Sequence, residues 1–461
     1  MSDYLPHEIV ADILLRLPIR TIGVCSCVCK LWRSIITSKA FITNHLAKTR
    51  EKGGSRALLR RSGCADMEGR FSLHFDTGSF DKFLDLDFPH ENFLGEFHVV
   101  GYCNGLLCLA DYDRFLCSRT CNVSLCNPTV RKCISLPPFS ISHDFYFESL
   151  SFGFDSVSND YKVMTIWFHN EENEYHCHSN PVVGIYSLSS NSWRDISETA
   201  LSFDVVGFRS DHVVDFRSDQ IFLNGAVHWI LICGDRGDEE FSEKIVRFDM
   251  SHEMFDKMCL PNSLDFMFTD KSLDLSIAVF GEKLSIVCLD LSTFDTDDAW
   301  SVWVMMEYGV SDSWTKQFRI SLQALEMGMH LNQVLGVREN GELILLIQNT
   351  WQSQSQNRKL LLSYNPECQQ VTDLNIHSLG NTLYLDSFLE ILVLLDHVNK
   401  NSKEEDIQAK KKKRKTKRKR KSKSKSKEDN SSMMKESGSR FCTRCMHLLF
   451  MVSDVILSKF C

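Results

Sequence analysis

Three groups of cysteine and histidine residues have types and spacings that could bind a metal ion. They are Cys117, Cys121 and Cys126 with Cys133 behind them; Cys442 and Cys445 with His447; and His176 with His178 around Cys177. A structural zinc site needs four ligands that converge as a tetrahedron, usually supplied as two close pairs. None of the groups shows two such pairs. We therefore expect ordinary thiols and loop histidines here, and no metal or cofactor.

Local signatures of catalysis are also absent from the sequence. The chain has no GxSxG segment, the strand-to-helix turn that presents a nucleophilic serine in many hydrolases. It has no GxxxxGK[ST] segment, the loop that cradles phosphates in many nucleotide-binding proteins. These observations favour a binding protein over an enzyme.

The charge is distributed unevenly along the chain. The net charge is -8, yet residues 51–409 hold 27 basic and 53 acidic side chains, whereas residues 410–427 hold 14 basic side chains and no acidic one. Affinity for nucleic acid comes largely from Lys and Arg that neutralise phosphates. The acidic body is thus unsuited to nucleic acid, and we expect no specific nucleic-acid partner.

The compartment follows from the first residues and from the cysteines. The chain begins MSDYLPHEIV, without the basic and then apolar segments of a secretory signal. We therefore expect the 18 cysteines to be reduced thiols in the cytosol or nucleus. No run of about 18 apolar residues occurs, so we expect no membrane partner.

The first fifty residues have the pattern of short amphipathic helices. Ile9, Ile13, Leu14 and Leu17 recur at steps of three and four residues, which places them on one helical face. A second apolar segment covers residues 22–29, and a third covers residues 31–36. A unit this small cannot bury a complete core alone, so we expect a partner to cover its apolar face.

The segment from Leu5 to Pro18, the segment from Val28 to Ile36 and then Phe41 together resemble an F-box. The resemblance implies that these helices dock on a Skp-type adaptor and join a cullin-RING ubiquitin ligase. It also implies that the apolar contact with the adaptor is made by Leu5, Pro6, Ile9, Ile13, Leu17, Pro18 and Val28, while Trp32 holds the helices together. The alternative is an ordinary three-helix unit whose apolar face covers the next domain.

The large middle of the chain repeats a strand pattern. Five equivalent positions, spaced 56 to 62 residues apart, mark it: Asn127, Ser187, Asp249, Met305 and Asn365. Between them lie strand pairs around Gly105, Gly225, Gly281 and Gly341, and Asn-Gly between apolar strands is a strong hairpin signal. About four short strands per repeat is typical of a β-propeller blade, and residues 55–395 would hold about six. A pair of stacked β-sandwiches is the alternative.

Four segments of this middle region resemble the kelch-like F-box-associated interaction domain of plant F-box proteins: residues 101–109, 127–137, 152–163 and 302–316. The last segment is similar to the group named for constitutive expression of pathogenesis-related genes. In that family the domain captures the protein to be ubiquitinated. No target-contacting residue transfers by motif, so the target-binding residues stay unknown, although the acidic body suggests a basic target surface.

A dense basic block follows the repeats. It contains Lys410, Lys411, Lys412, Lys413, Arg414, Lys415, Lys417, Arg418, Lys419, Arg420 and Lys421. Like charges at this density resist compaction, so we expect a disordered segment. Such a block is also what nuclear-import receptors bind, which predicts a protein of nucleus and cytoplasm. Nonspecific contact with polyanions and a plain solubilising linker are the alternatives.

Together these observations predict an α+β multidomain chain. Residues 1–46 form the F-box, 47–54 a linker, 55–395 a mainly β, kelch-like propeller, 396–440 a disordered basic linker and 441–461 a short apolar tail of unknown role. The predicted function is the substrate-recognition subunit of an SCF-type ubiquitin ligase, which is not itself an enzyme. A non-degradative adaptor-binding scaffold and a propeller enzyme are the alternatives, because a fold alone does not exclude an activity.

Overall fold

The computed structural model describes part of the chain. The described residues are 6–51, 56–61, 70–77, 79–86, 97–111, 121–141, 145–169, 182–199, 220–233, 242–261, 264, 275–290, 299–321, 329–338, 340–349, 359–378 and 383–393. The chain divides into one unit from Met1 to His397 and a second from Val398 to Cys461. The basic block and the apolar tail belong to the second unit and lie outside the described residues. Among the residues described, no helix has the length and hydropathy needed to span a membrane.

Four helices come first. They are α1 (His7–Leu15), α2 (Ile19–Cys25), α3 (Lys30–Ile36) and α4 (Lys39–Glu51). A buried core lies between them and includes Leu14, Ile22, Ile36 and Phe41. Helix α4 continues to Glu51, so residues 47–51, which we predicted as part of a linker, are helical.

Twenty-four strands follow in the described part of the chain, and they pair into six four-stranded antiparallel sheets. The first blade contains β1 (Arg56–Arg61), β2 (Arg70–Phe75), β3 (Lys82–Leu86) and β24 (Leu383–Ser387); the second contains β4 (His98–Cys103), β5 (Leu106–Asp111), β6 (Asn122–Asn127) and β7 (Lys132–Ser135); and the third contains β8 (Phe145–Asp155), β9 (Asp160–His169), β10 (Val182–Ser187) and β11 (Ser192–Asp195).

The other three blades follow the same plan. The fourth contains β12 (Gln220–Leu223), β13 (Ala226–Cys233), β14 (Ser242–Asp249) and β15 (Met254–Met258); the fifth contains β16 (Leu275–Phe280), β17 (Lys283–Asp290), β18 (Ala299–Met305) and β19 (Trp314–Ser321); and the sixth contains β20 (Met329–Val337), β21 (Leu343–Asn349), β22 (Lys359–Asn365) and β23 (Gln370–Ser378).

Six buried apolar clusters show that the blades form a closed ring. One cluster lies between each pair of neighbouring blades, including one between the sixth blade and the first. Leu58 and Leu59 illustrate how this works: Leu58 packs toward the second blade and Leu59 toward the sixth, because successive residues of a strand point to opposite faces. The structure is therefore a six-bladed propeller, as the repeat predicts, and the alternative of two stacked sandwiches is wrong.

The first blade joins the two ends of the propeller. Strand β24 pairs antiparallel with β1, from Ala57 opposite Ser387 to Arg61 opposite Leu383. The sheet order β24-β1-β2-β3 thus takes its first strand from the C-terminal side and its other three from the N-terminal side. Because every blade needs neighbours on both faces, this pairing stabilises the whole ring.

The five repeat markers occupy one structural position. Each is the last residue of the third strand of its blade, from β6 to β22. At Asn127, Asp249 and Asn365 the side-chain oxygen accepts a backbone N–H two residues further on, at 2.8 to 2.9 Å. Asn and Asp recur here because their short side chains can cap the turn that leads to the fourth strand.

The predicted hairpins are confirmed. The turn between β4 and β5 has Asn104 at φ 45° and Gly105 at φ 85°, and the turn between β12 and β13 has Asn224 at φ 51° and Gly225 at φ 78°. Two successive residues with positive φ match the right-handed twist of the flanking strands.

The Leu-Pro and Trp positions that end the repeats meet across blade boundaries. The indole Nε1 of Trp193 in the third blade donates to the carbonyl of Pro137 in the second, at 2.6 Å. The indole Nε1 of Trp314 in the fifth blade donates to the carbonyl of Cys259 in the fourth, at 3.1 Å. Each contact satisfies a polar group at the end of an apolar interface.

One expectation about the cysteines is wrong. Cys126 in β6 and Cys133 in β7 face each other in the strand register and form a disulfide. Cys25, Cys27, Cys29, Cys108, Cys259 and Cys368 are thiols.

Candidate adaptor-binding site

Two prolines set the bounds of the first two helices. Pro6 precedes α1, and its carbonyl accepts the amide of Val10 at 3.1 Å. Pro18 precedes α2, and its carbonyl accepts the amide of Ile22 at 3.0 Å. Proline suits the start of a helix because its fixed φ fits there and no amide is lost. The two Leu-Pro pairs of the sequence thus place α1 and α2 in immediate succession.

Helix α1 has two apolar faces. Val10 and Leu14 point into the helix core and are 7% and 1% exposed. Ile9 and Ile13, one helical turn apart, are 46% and 47% exposed. Exposure of isoleucine side chains to water is unfavourable, so a protein that bound here and buried them would gain free energy.

The apolar exposure continues beyond α1. Ile19, Ile22 and Cys25 are the buried residues of α2. Val24 of that helix and Val28, in the turn before α3, are the most exposed of these aliphatic residues, at 69% and 62%. We define Ile9, Ile13, Val24 and Val28 as the exposed apolar face of the helical module.

The residues predicted to contact the adaptor divide into three groups. Pro6, Ile9, Ile13, Pro18 and Val28 are exposed. Leu17 is half-buried and packs against the helix core, which differs from the prediction because α1 ends at Leu15 and its helical register does not extend to residue 17. Leu5 lies outside the described residues.

Val24 is an apolar surface residue that the sequence analysis missed. The inward positions 19, 22 and 25 define the buried face of α2, so the spacing alone places residue 24 on the opposite face. Trp32 packs against the helix core, in agreement with its predicted role. The exposure of Ile9 and Ile13 contradicts the alternative in which this face covers the next domain.

Charged side chains also lie on the surface of these helices, among them Glu8, Arg20 and Lys30. Arg16 donates to Asp12 at 2.6 Å, and both side chains are more than half exposed. A surface pair of this kind contributes little to stability. The amide of Trp32 donates to Sγ of Cys29, which caps α3. The four residues that define the exposed apolar face are all aliphatic, so a protein that bound there would bury apolar surface.

A buried charge cluster joins the third and fourth blades. The Nζ of Lys162 lies 2.8 Å from Asp155 Oδ2 and 3.0 Å from Glu253 Oε1, and it donates to the carbonyl of Met250 at 2.6 Å. Hydrogen bonds from Lys162 and neighbouring groups hold the pKa of Asp155 well below its ordinary value, against the opposing effect of burial. Those to Arg194 and Lys162 lower the pKa of Glu253 in the same way. Each charge has a partner, so the cluster stabilises the blade contact.

A second buried group is His228 of β13. Its Nε2 lies 2.7 Å from the Tyr308 hydroxyl of the fifth blade. Burial lowers the pKa of His228 to about 4, with a further contribution from the positive charge of Arg247. The imidazole is therefore neutral at physiological pH and links two blades.

The cysteine and histidine groups considered as metal sites lie mostly outside the described residues. The described residues contain no group of three or more His, Cys, Asp or Glu that could hold an ion. Cys117, His176, His178, Cys442, Cys445 and His447 lie outside them. Of the first cysteine group, Cys126 and Cys133 are bonded to each other.

Comparison with known proteins identifies the family. A family model described as "F-box domain" matches residues 3–44, and one described as "F-box associated beta propeller domain" matches residues 72–398. The chain therefore belongs to the F-box proteins that carry an F-box-associated β-propeller. The second match covers most of the chain and agrees with the six blades.

Within this class the chain is a plant F-box protein of the CPR1 kind. It is 30% identical to the F-box protein CPR1 of Arabidopsis thaliana, over 75% of this chain and 80% of CPR1. It is 27% identical to the Arabidopsis thaliana F-box protein At3g07870, over 82% of this chain and 89% of that protein. The Arabidopsis thaliana F-box/kelch-repeat protein At3g23880 is also 27% identical, over 68% of this chain and 79% of that protein.

Proposed function

We propose that this protein is the substrate-recognition subunit of an SCF-type (Skp-cullin-F-box) E3 ubiquitin ligase. The observation that carries the proposal is the exposed apolar face of the F-box, above all Ile9 and Ile13 at nearly half exposure. The face lies on a module that family membership identifies as an F-box. In the proposal a Skp-type adaptor covers this face and connects the chain to a cullin-RING ligase.

In this proposal the chain itself is non-catalytic. The F-box binds the adaptor, and the propeller binds a protein target whose lysines are thereby held near a carried ubiquitin. Holding two reactants together raises their effective concentration and accelerates transfer without any chemical group from this chain. The target would then be degraded by the proteasome.

We further propose that the target binds away from the F-box, on the opposite face of the propeller. Helix α4 contacts the turn between β8 and β9: Lys39 Nζ donates to the carbonyl of Ser158 at 3.1 Å, and Asn159 Nδ2 donates to Thr43 Oγ1 at 3.4 Å. The F-box thus occupies the face that carries the turns between first and second strands. The net charge of -26 over residues 51–409 favours a target with a basic surface.

A substitution of Ile13 tests the adaptor contact. Ile13→Asp places a carboxylate in the exposed apolar face, and we expect adaptor affinity to fall at least about 100-fold, because desolvating an unpaired charge opposes binding. The measurement is surface plasmon resonance with the purified full chain and a Skp-type adaptor.

The matched control is Met254→Asp, which changes a 59% exposed side chain of the fourth blade to the same residue. It should bind the adaptor like the unsubstituted chain. Equal affinity of the Ile13→Asp and Met254→Asp variants would refute the adaptor proposal.

The non-degradative scaffold differs from the ligase in one observable. If the chain is a ligase subunit, targets identified by proximity labelling should have longer half-lives in cells that express the Ile13→Asp variant. An unchanged half-life would favour the scaffold.

We also propose that the block from Lys410 to Lys421 directs nuclear import, so that the protein divides between nucleus and cytoplasm. The support is the density of Lys and Arg in this segment. Replacing the basic residues of the block by Ser should move a fluorescent fusion out of the nucleus. Replacing the more dispersed Lys423, Lys425 and Lys427 is the control and should change the distribution little. An unchanged distribution in the first variant would remove the import proposal.

A further inference from the structure

The residues directly after β24 have apolar side chains that point in two directions. Phe388 is buried in the cluster between the first and second blades, and Ile391 is buried in the cluster between the second and third. Leu392, the next residue, is 1% exposed and belongs instead to the core of the F-box. We call residues 388–393 the strap, because they contact two propeller interfaces and the F-box within six residues.

The second blade holds the strap by hydrogen bonds to its backbone. Asn127 Nδ2 donates to the carbonyls of Ile391 and Val393 at 3.0 and 2.7 Å. The Tyr102 hydroxyl accepts the amide of Leu389 at 2.6 Å and lies 3.2 Å from its carbonyl. Backbone groups of Leu389, Ile391 and Val393 thus find side-chain partners in a segment that has no regular secondary structure.

Leu392 completes a core that the F-box helices do not close alone. Its neighbours in the cluster come from all four helices, among them Val10, Ile22, Ile36 and Phe41. A unit this small needs a partner to cover its apolar surface. The structure shows that part of this cover comes from the C-terminal end of the propeller, whereas the exposed apolar face stays open.

One face of helix α4 provides a second attachment. Lys39 and Thr43 contact the turn between β8 and β9, and Leu46 packs against the cluster between the second and third blades. These residues follow one another at steps of four and three, so they share a face of the helix. The F-box is therefore attached at two separate points, α4 and the strap, and two points restrict rotation as well as separation.

We propose that the strap, through Leu392, holds the F-box in one orientation on the propeller and makes Leu392 a positioning residue for ubiquitin transfer. The attachment itself stands on the contacts above, and its consequence for transfer rests on the proposed ligase function. Without the strap, the F-box would keep its chain connection through residues 52–55 and the α4 contacts only. The adaptor-binding face would then change its direction relative to a target held by the propeller.

The first test uses tryptic cleavage of the full chain at Lys48, Arg50 and Lys52. In the Leu392→Asp variant we expect cleavage there to be about 30-fold faster, because loss of a buried leucine contact shifts the local equilibrium toward the detached form. The volume-conserving Leu392→Met variant should be cleaved like the unsubstituted chain. Equal cleavage rates in all three proteins would overturn the proposal.

Small-angle X-ray scattering of the same proteins separates detachment from global unfolding. The Leu392→Asp variant should show a larger maximum dimension with an unchanged melting temperature of the propeller. If Asp also unfolds the F-box, the Leu392→Ala variant decides: it should still be cleaved faster than Leu392→Met while its helical circular dichroism is retained. A Leu392→Ala variant with unchanged cleavage and scattering would contradict the strap.

The last test concerns positioning in a reconstituted ligase. The probe is the chain itself, and mass spectrometry maps which of its lysines receive ubiquitin. A fixed orientation predicts a restricted set in the unsubstituted chain and a wider set in Leu392→Asp; an identical set in both would overturn the positioning role. If the Ile13→Asp variant keeps full adaptor affinity, the ligase proposal fails while the cleavage result still decides the strap.

Discussion

At the scale of single residues, Asn127 shows how one side chain serves both the repeat and the strap. Its Oδ1 accepts the amide of Thr129, as the equivalent oxygens do in other blades, while its Nδ2 donates to two strap carbonyls. A side-chain amide has both an acceptor and two donors, whereas an ionised carboxylate only accepts, so Asp could perform the first role but not the second.

This difference makes a prediction about Asn127→Asp. The change keeps the turn acceptor but replaces two donor contacts by a carboxylate facing carbonyl oxygens in a buried site, so we expect a loss of about 3 kcal/mol in the free energy of unfolding. Asn365→Asp is the matched control, because the contacts of Asn365 with Glu367 and Cys368 use its oxygen as acceptor. Urea unfolding measures both. If Asn127→Asp lowered the free energy of unfolding no more than Asn365→Asp does, the hydrogen bonds to the strap would contribute nothing to stability.

His228 gives a prediction about pH. Its pKa is lowered to about 4 in the folded chain, so the unfolded chain takes up the proton first as pH falls. Neutral His228 therefore makes its full contribution to the free energy of unfolding above about pH 7. This contribution decreases below about pH 6.5, and about 3 kcal/mol of it is lost at pH 4. Urea unfolding at several pH values should show this slope, and His228→Gln should flatten it. Equal slopes in the unsubstituted chain and the His228→Gln variant would contradict the assignment.

The candidate site was predictable at this scale where helical spacing decides. Ile9 and Ile13 share an exposed face, as their i, i+4 spacing predicts. Leu14, which we placed on the same face, is instead 1% exposed and belongs to the helix core. The half-buried position of Leu17 was not predicted. The i, i+4 relation of Leu17 to Ile13 holds only within a helix, and α1 ends at Leu15, before Pro18. Val24 was not predicted, because residues 22–29 were treated as one apolar segment and no buried and exposed helical faces were distinguished.

At the scale of elements, the turn between β4 and β5 is shaped by the strap. Gly105 has φ 85°, and a Cβ added to it would lie 2.5 Å from a side-chain carbon of Ile391. Gly225, in the equivalent turn of the fourth blade, has φ 78° but nothing within 4 Å of such a Cβ. The two glycines therefore share a backbone requirement and differ only in the close approach of the strap.

The pair Gly105→Ala and Gly225→Ala separates these two causes. Gly225→Ala should cost about 1 kcal/mol in unfolding free energy, from the positive φ alone. Gly105→Ala should cost about 2 kcal/mol more, because the added methyl group displaces the strap. Chemical denaturation of both variants measures the difference. In an Ile391→Ala background, which lacks the three carbon atoms that approach the added Cβ, the cost of Gly105→Ala should fall toward that of Gly225→Ala. Equal costs for both glycines in the unsubstituted background would argue against the close packing.

The repeat of strands was predictable at this scale, but the pairing of the first blade was not. Asn-Gly turns and capped third strands are local features, and they recur at a nearly constant step. The pairing of β24 with β1 joins segments more than 300 residues apart, and neither strand carries a local sign of its partner. The strap was hidden for the same reason, since Phe388 to Val393 appears in the sequence as one more short apolar run.

At the scale of the whole molecule, closure of the propeller and attachment of the F-box depend on consecutive residues. Strand β24 ends at Ser387 and the strap begins at Phe388. The same eleven residues, 383–393, therefore complete the first blade and the F-box core. The uneven distribution of charge is also a property of the whole chain, because residues 51–409 are acidic and the basic block follows them.

A series of C-terminal truncations should separate these two roles in order. A chain of residues 1–393 keeps β24 and the strap, so its melting temperature and tryptic cleavage at Lys48 to Lys52 should match those of the full chain. A chain of residues 1–387 loses the strap, and with it Phe388 and Ile391 from two propeller interfaces. We expect fast cleavage and a moderately lower propeller melting temperature.

A chain of residues 1–382 also loses β24, which removes the backbone pairing with β1 and the buried Leu383. We expect the free energy of unfolding to fall by at least about 5 kcal/mol, because the ring opens and the first blade exposes an unpaired edge and an apolar face. Differential scanning calorimetry and the cleavage assay on all three chains measure the two effects independently. If the 1–387 and 1–393 chains were cleaved at the same rate, attachment of the F-box would have to come from α4 alone; if the 1–382 chain melted like the 1–387 chain, β24 would not be what closes the ring.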